Sequence, residues 1–310
     1  MSEPLIVEAV RSGFPESVHA LDVAVIDADG ALVASAGDPA HPAAFRSSAK
    51  PIQAAVARDA GWEPPDDAGL AIACASHSGE PGHVAAVRAV LARADVPEAA
   101  LACPEAMPFR PEDAVTADGP ARALHNCSGK HASMLAACRA AGWTLEGYRD
   151  PGHPMQRANQ ARMRALLGLE PTVLVDGCGV PTFVAPLDSL ARAFASVAGS
   201  PEAAAMRAHP WLVGGTDRLD TALMSAVPDA ISKGGAEGLI CATLKGTTVA
   251  VKARDGAARA CAPALLHVLE QLGLLGASAH EGLDAHREPP ILGGGLPVGV
   301  LRARGTLQRR

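Results

Sequence analysis

Short apolar runs and longer stretches of helical periodicity alternate along the chain, and they are unevenly distributed. Near the start, residues 20–27 and 31–36 are apolar runs on either side of Asp29-Gly30, a dipeptide that favours the tight turn of a β-hairpin. Residues 37–45 then read as a loop. An Ala-rich pattern over 47–60 predicts a helix, with Ser47 as its N-cap and Pro51 in the first turn, where a missing N–H costs little. The apolar run 69–75 reads as a buried strand. Helical patterns follow at 82–94, 130–141, 155–167, 187–198, 201–208 and 218–227. Towards the end, 239–244 and 247–252 predict a second hairpin, followed by a helix over 263–272 and a last strand over 298–304.

Strands at both ends with helices between them predict an α+β fold. Its antiparallel sheet is assembled from the two termini, flanked by helices, around a helical insert. No repeat, linker or low-complexity stretch divides the chain, and the Pro- and acid-rich segment 95–120 is short enough for a surface loop. Residues 1–310 therefore read as a single domain with a helical lobe around 80–230.

Composition narrows the function classes. Of 310 residues 48% are hydrophobic and 19% charged, enough apolar surface for a large core and too much for disorder. With a net charge of −6 and no basic stripe, a nucleic-acid groove is not expected. Apolar runs fall short of the roughly 18–20 residues of a membrane span, and residues 1–20 lack a secretion-signal pattern, so a cytoplasmic protein is expected. The seven cysteines are odd in number and include no CxxC pair, which points to reduced thiols. Cys103, Cys138, Cys241 and Cys261 read as small core hydrophobes, whereas Cys127 and Cys178 sit among glycines and polar residues. Of the 27 basic residues only five are lysines: Lys50, Lys130, Lys233, Lys245 and Lys252. A desolvated lysine can lose its proton and arginine effectively cannot, so each of these is a candidate for proton chemistry.

Four segments could carry that chemistry. In Phe45-Arg46-Ser47-Ser48-Ala49-Lys50-Pro51, Ser47 and Lys50 are three apart at a helix start and share a face. A partly buried lysine there would favour its neutral form and could act as the base that a serine nucleophile needs. Cys74-Ala75-Ser76-His77-Ser78-Gly79-Glu80 carries hydroxyls, an imidazole and a carboxylate. It reads equally as a catalytic turn or as a polar loop capping the helix that starts near Gly82. A Ser–His–acid triad through His77 is the weaker option, because no GxSxG elbow surrounds any serine. In His125-Asn126-Cys127-Ser128-Gly129-Lys130-His131 and Asp176-Gly177-Cys178-Gly179, the two thiolates could hold a borderline ion such as zinc, although their spacing does not identify a metal site. Ser128-Gly129-Lys130 lacks the earlier glycine of a phosphate loop. Lys252, before the Asp255-Gly256 turn, is either an edge-strand guard or a group pointing into a cleft.

Taken together, ESVHA, FRSSAKPIQA, CASHSGE, HNCSGKHASML, HPMQ, DGCGVPTF, GGTDRLDTALM, SKGGAEG and VAVKARDG run along nearly the whole chain. In these motifs the sequence resembles the rhizobial-type, thermolabile L-asparaginase II family. The resemblance implies a fold similar to serine β-lactamases and glutaminases, a homodimer, and hydrolysis of L-asparagine to L-aspartate and ammonia. It implies a first Ser–Lys tandem of Ser47 and Lys50 and a second of Ser76 and Lys252. It also implies a zinc ion, not the main catalyst, on Cys127, Lys130 and Cys178. Arg46, His77 and Asp176 are then the expected substrate-binding residues. Arg11-Ser12-Gly13-Phe14-Pro15 and the stretch after Ile291 depart from the family pattern. The rival readings are a β-lactamase-type amidohydrolase acting on glutamine, a peptide or a lactam, and a catalytically silent zinc- or amino-acid-binding protein.

Overall fold

The structure, a computed structural model, describes residues 2–310, with the backbone alone at residues 277, 278 and 280. The chain gathers into two compact units. One comprises the chain up to Ser48, Ala185–Ala198 and Ala222–Arg310; the other comprises Ala49–Val184 and Gly199–Thr221.

The first unit is built on an antiparallel sheet. Its main path runs Pro290–Gly293, Leu296–Arg304, Leu5–Arg11, Phe14–Ile26, Thr247–Ala253, Leu239–Leu244, Ile231–Gly235, with Leu32–Ala36 also paired to Phe14–Ile26. Both termini contribute, as the strand-rich ends imply, and with the helices this makes the fold α+β. Leu5–Arg11, not among the expected strands, alternates buried Leu5, Val7 and Ala9 with half-buried Ile6 and Glu8, the period-two signature of a strand. Helices Leu187–Ala195 and Cys261–Gln271 pack on the sheet, and Val23, Val25, Val249, Val251, Leu265 and Leu269 between them are fully buried. Lys252 stands opposite Asp22 on the neighbouring strand.

The second unit is mainly helical, with a small hairpin in which Thr172–Val175 pairs with residues 181–184 of strand Pro181–Pro186. Helix Ser128–Ala140 is its axis: every residue from Ser128 to Cys138 is buried, so helices Lys50–Asp59, Asp67–Ala73 and Pro81–Arg93 pack around it. A Cβ on Gly129 would lie 2.1 Å from the Ile72 carbonyl oxygen. That glycine therefore serves a backbone-to-backbone helix crossing.

Two expectations are corrected. Residues 69–75 do not form a strand; Asp67–Ala73 is a helix whose N-cap, Asp66, accepts the Gly69 N–H at 2.7 Å. A short run that is apolar on every side does not separate a buried strand from a buried helix. Ser47 is not an N-cap either. It lies inside a 3₁₀ turn, Arg46–Ala49, and the α-helix begins at Lys50 with Ala49 at its cap and Pro51 in its first turn. The cause is Arg46, whose φ of +47° turns the chain just before Ser47. No helix among the described residues is long and apolar enough to cross a membrane.

Candidate active site

Lys50 enters the second unit on the first turn of its helix and is fully buried. Its Nζ donates to the Ala75 carbonyl at 2.6 Å, to Ser76 Oγ at 2.9 Å and to the Asn126 carbonyl at 3.1 Å. Burial pushes the Lys50 ammonium below its ordinary lysine value; nearby Lys130 acts in the same direction, and Cys127 and Cys178 oppose it. A buried amine against a serine hydroxyl is the arrangement a general base requires.

The chain carries Cys127 at the N-cap of helix Ser128–Ala140 and Lys130 one turn in, while Cys178 comes from the turn of the small hairpin. That turn is closed by Asp176 N–H to Val180 O and Gly179 N–H to Asp176 O, each 2.8 Å, with Asp176 Oδ1 accepting the Gly177 N–H at 2.9 Å. Lys130 Nζ lies 3.0 Å from Cys178 Sγ. Cys127 first and then Lys130 hold the Cys178 thiol far below its ordinary value despite burial, while Cys178 and burial push Cys127 up. Burial alone would lower Lys130, but Cys178, Cys127 and Asp176 outweigh it and keep the amine charged. Sulfur and amine donors of this kind suit a borderline-soft ion. Among the described residues no three His, Cys, Asp or Glu side chains form a metal-holding group, so a site here depends on the lysine. A metal would have to displace its proton.

Two residues of this cluster escaped the motif reading. His131 follows Cys127 by four positions and so lies one helical turn on, towards the same face, a spacing that could have revealed it. Burial pushes its imidazole down to about 4, so the ring is neutral. Tyr148 Oη accepts the Ala102 N–H at 2.9 Å and hydrogen-bonds His131 Nδ1 at 2.5 Å. His131 Nε2 is buried and makes no hydrogen bond among the described residues.

His77, expected to touch substrate, spends both ring nitrogens inside the second unit. Nδ1 accepts the Gly79 N–H at 3.1 Å, and Nε2 meets Ser128 Oγ at 2.9 Å. It is fully buried and held well below its ordinary pKa, first by that burial and then by His83 and Lys50.

In the first unit, Arg46 and Ser47 are half-buried, and the Ser47 hydroxyl makes no hydrogen bond among the described residues. The turn that bears them is braced from strand Ile231–Gly235. Ser48 Oγ donates to the Lys233 carbonyl at 2.8 Å, and a Cβ on Gly235 would come within 3.1 Å of Ser48 Oγ and 3.2 Å of the Phe45 carbonyl. The SKGGAEG motif thereby acquires a role that its sequence did not suggest. Gly235→Ala is expected to displace the turn, lowering kcat about tenfold to a hundredfold while circular dichroism stays parental. Lys252, also in this unit, is nearly buried and pushed down by burial, against Cys261, Glu237, Asp255 and Asp22. Its Nζ donates to the Ala253 carbonyl.

Buried amines and thiols with ionisation shifted in this way cluster at functional sites, and amide hydrolysis is chemistry such groups can do. No curated protein matches the chain. The family model for L-asparaginase II, however, matches residues 7–303, nearly the full length, and the chain belongs to the L-asparaginase II family.

Proposed function

We propose that the protein hydrolyses the side-chain amide of L-asparagine to L-aspartate and ammonia with Ser47 as nucleophile and Lys50 as its base. The observation that carries this reading is the fully buried Lys50, its amine pushed towards the neutral form and bonded to Ser76 Oγ, three residues along continuous helical backbone from Ser47. Ser47 Oγ attacks the amide carbon while its proton passes to neutral Lys50. The tetrahedral intermediate then collapses as the C–N bond breaks and the proton goes to the departing nitrogen. Water next attacks the β-aspartyl ester, giving up a proton to the same base; the C–Oγ bond then breaks as that proton returns to Ser47 Oγ, releasing aspartate. Ser76 and Lys252 serve as the second pair, with Ser76 relaying protons to and from Lys50.

Arg46, beside the nucleophile, suits the substrate carboxylate, and Asp176 suits its ammonium. His77 has no ring nitrogen left for a substrate and is assigned instead to holding the Ser76 segment on helix Ser128–Ala140. Cys127, Lys130 and Cys178 would hold zinc, which when bound supplies a Lewis-acid contact that positions substrate. Seven free, buried cysteines suit a reducing, cytoplasmic setting. A homodimer would cover Phe14, Leu292 and Leu296, large apolar side chains exposed on the first unit.

Because the base must be neutral and its pKa is lowered, kcat is expected to rise with pH through the Lys50 ionisation, at a pH below that of an ordinary lysine. A rate that falls across that range would count against Lys50. The reading as a whole is tested by ammonia release from asparagine and glutamine with and without added zinc. Turnover of asparagine supports it. Glutamine as the far better substrate would favour a glutaminase, and stoichiometric binding of asparagine and zinc without turnover would favour a silent binding protein.

A further inference from the structure

Ser76 belongs to a segment, Ala75–Glu80, with no regular secondary structure of its own, so its position is set by what lies alongside. Within the second unit that neighbour is Trp211–Thr216. The Ser76 N–H donates to the Val213 carbonyl at 2.9 Å, and Ser78 Oγ to the Gly214 carbonyl at 3.1 Å. The Glu80 carboxylate closes the series: one oxygen accepts the Thr216 N–H at 2.9 Å and the other the Thr216 hydroxyl at 2.7 Å. Trp211 Nε1 donates to the same hydroxyl at 3.1 Å, which commits the Thr216 hydroxyl proton to Glu80. His83 takes the Glu80 N–H on Nδ1, so its Nε2–H donates to the Trp211 carbonyl at 3.0 Å, and the two rings stack 4.1 Å apart.

The two segments approach so closely that a Cβ on Gly215 would fall 2.4 Å from Ser78 Oγ and 2.7 Å from a Glu80 carboxylate oxygen. Glu80 is 5% exposed, with Arg110 at 3.5 Å. It is also the N-cap of helix Pro81–Arg93, but capping alone would not require either bond to Thr216.

We infer that Glu80 is a positioning residue for the hydrolysis: by buckling Trp211–Thr216 to Ala75–Glu80 it fixes Ser76, and with it the contact between Ser76 Oγ and Lys50 Nζ. The inference rests on the Ser–Lys reading above. Its test compares Glu80→Gln, which sets an amide N–H₂ against one of the two Thr216 donors, with Thr216→Val and Thr216→Ser. The valine keeps the shape and loses the hydroxyl; the serine keeps the hydroxyl. Glu80→Gln and Thr216→Val are expected to lower kcat for asparagine about tenfold to a hundredfold with KM nearly unchanged, as for a catalytic pair moved by a fraction of an ångström. Thr216→Ser should restore parental kcat.

Parental kcat in folded Thr216→Val, or a loss in Glu80→Gln that Thr216→Val does not share, would overturn the buckle and leave only the cap. If Ser47→Ala is inactive while Thr216→Val is parental, only this inference fails. If Ser47→Ala keeps parental activity, the Ser–Lys reading fails and this inference with it.

Discussion

Ser47→Ala is expected to lower kcat for asparagine by a factor of about 10⁴ or more while leaving the protein folded. The size of the effect follows from the role: without the hydroxyl no β-aspartyl ester forms, and only binding and electrostatic stabilisation of a direct water attack remain. The clean fold follows from the position. Ser47 is half-buried in a 3₁₀ turn, and its hydroxyl makes no hydrogen bond among the described residues, so the truncation orphans no partner. Thermal unfolding should stay close to the parent, as for substitutions that leave neither a cavity nor an unpaired polar group. Ammonia release and a melting curve measured on one preparation decide both halves.

Lys50→Met should lower kcat about 10³-fold or more, and here stability should fall as well. General-base catalysis is worth about 10²–10⁴ in rate. The methionine also removes the donor to the buried Ala75 carbonyl, left unpaired at a cost of about 1–3 kcal/mol, and to the part-buried Asn126 carbonyl. Lys50→Arg separates charge from basicity. Arginine can hold positive charge at the site but cannot give up its proton, so activity should stay as low as in the methionine variant. An active Lys50→Arg protein would show that a fixed charge suffices there and that another group takes the Ser47 proton.

The parts of the fold that were legible in the sequence are those decided locally. The hairpin expected over 239–252 forms as Leu239–Leu244 and Thr247–Ala253, turning at Lys245 and Gly246, both with positive φ as a two-residue hairpin turn requires. Helix Pro201–Ala208 forms where expected, its N-cap Ser200 accepting the Ala203 N–H at 3.1 Å. Leu5–Arg11 pairs locally with Phe14–Ile26 as well as with Leu296–Arg304, and it was missed because Ile6 and Val10 on its half-buried face are apolar too, so its alternation shows in burial and not in residue type. Residues 69–75 were misread because complete burial erases the periodicity that separates helix from strand.

The candidate site was legible through lysine. Lys50, Lys130 and Lys233 are fully buried or nearly so, and Lys252 is 9% exposed; only Lys245 is on the surface. In a chain that uses arginine almost everywhere else, the lysines that remain are mostly inside. What stayed hidden are the groups that set the site without a chemical signature of their own: Tyr148 behind His131, Gly235 against the nucleophile turn, and Thr216 on Glu80. A tyrosine, a glycine and a threonine announce nothing until the chain is folded around them.

The most direct test of the central claim is to quench the enzyme with acid during turnover of asparagine and map the covalent product by peptide mass spectrometry. The account predicts an aspartyl ester on the peptide containing Ser47, absent from Ser47→Ala. An adduct on any other residue, or an unmodified Ser47 peptide beside parental turnover in Ser47→Ala, would contradict it.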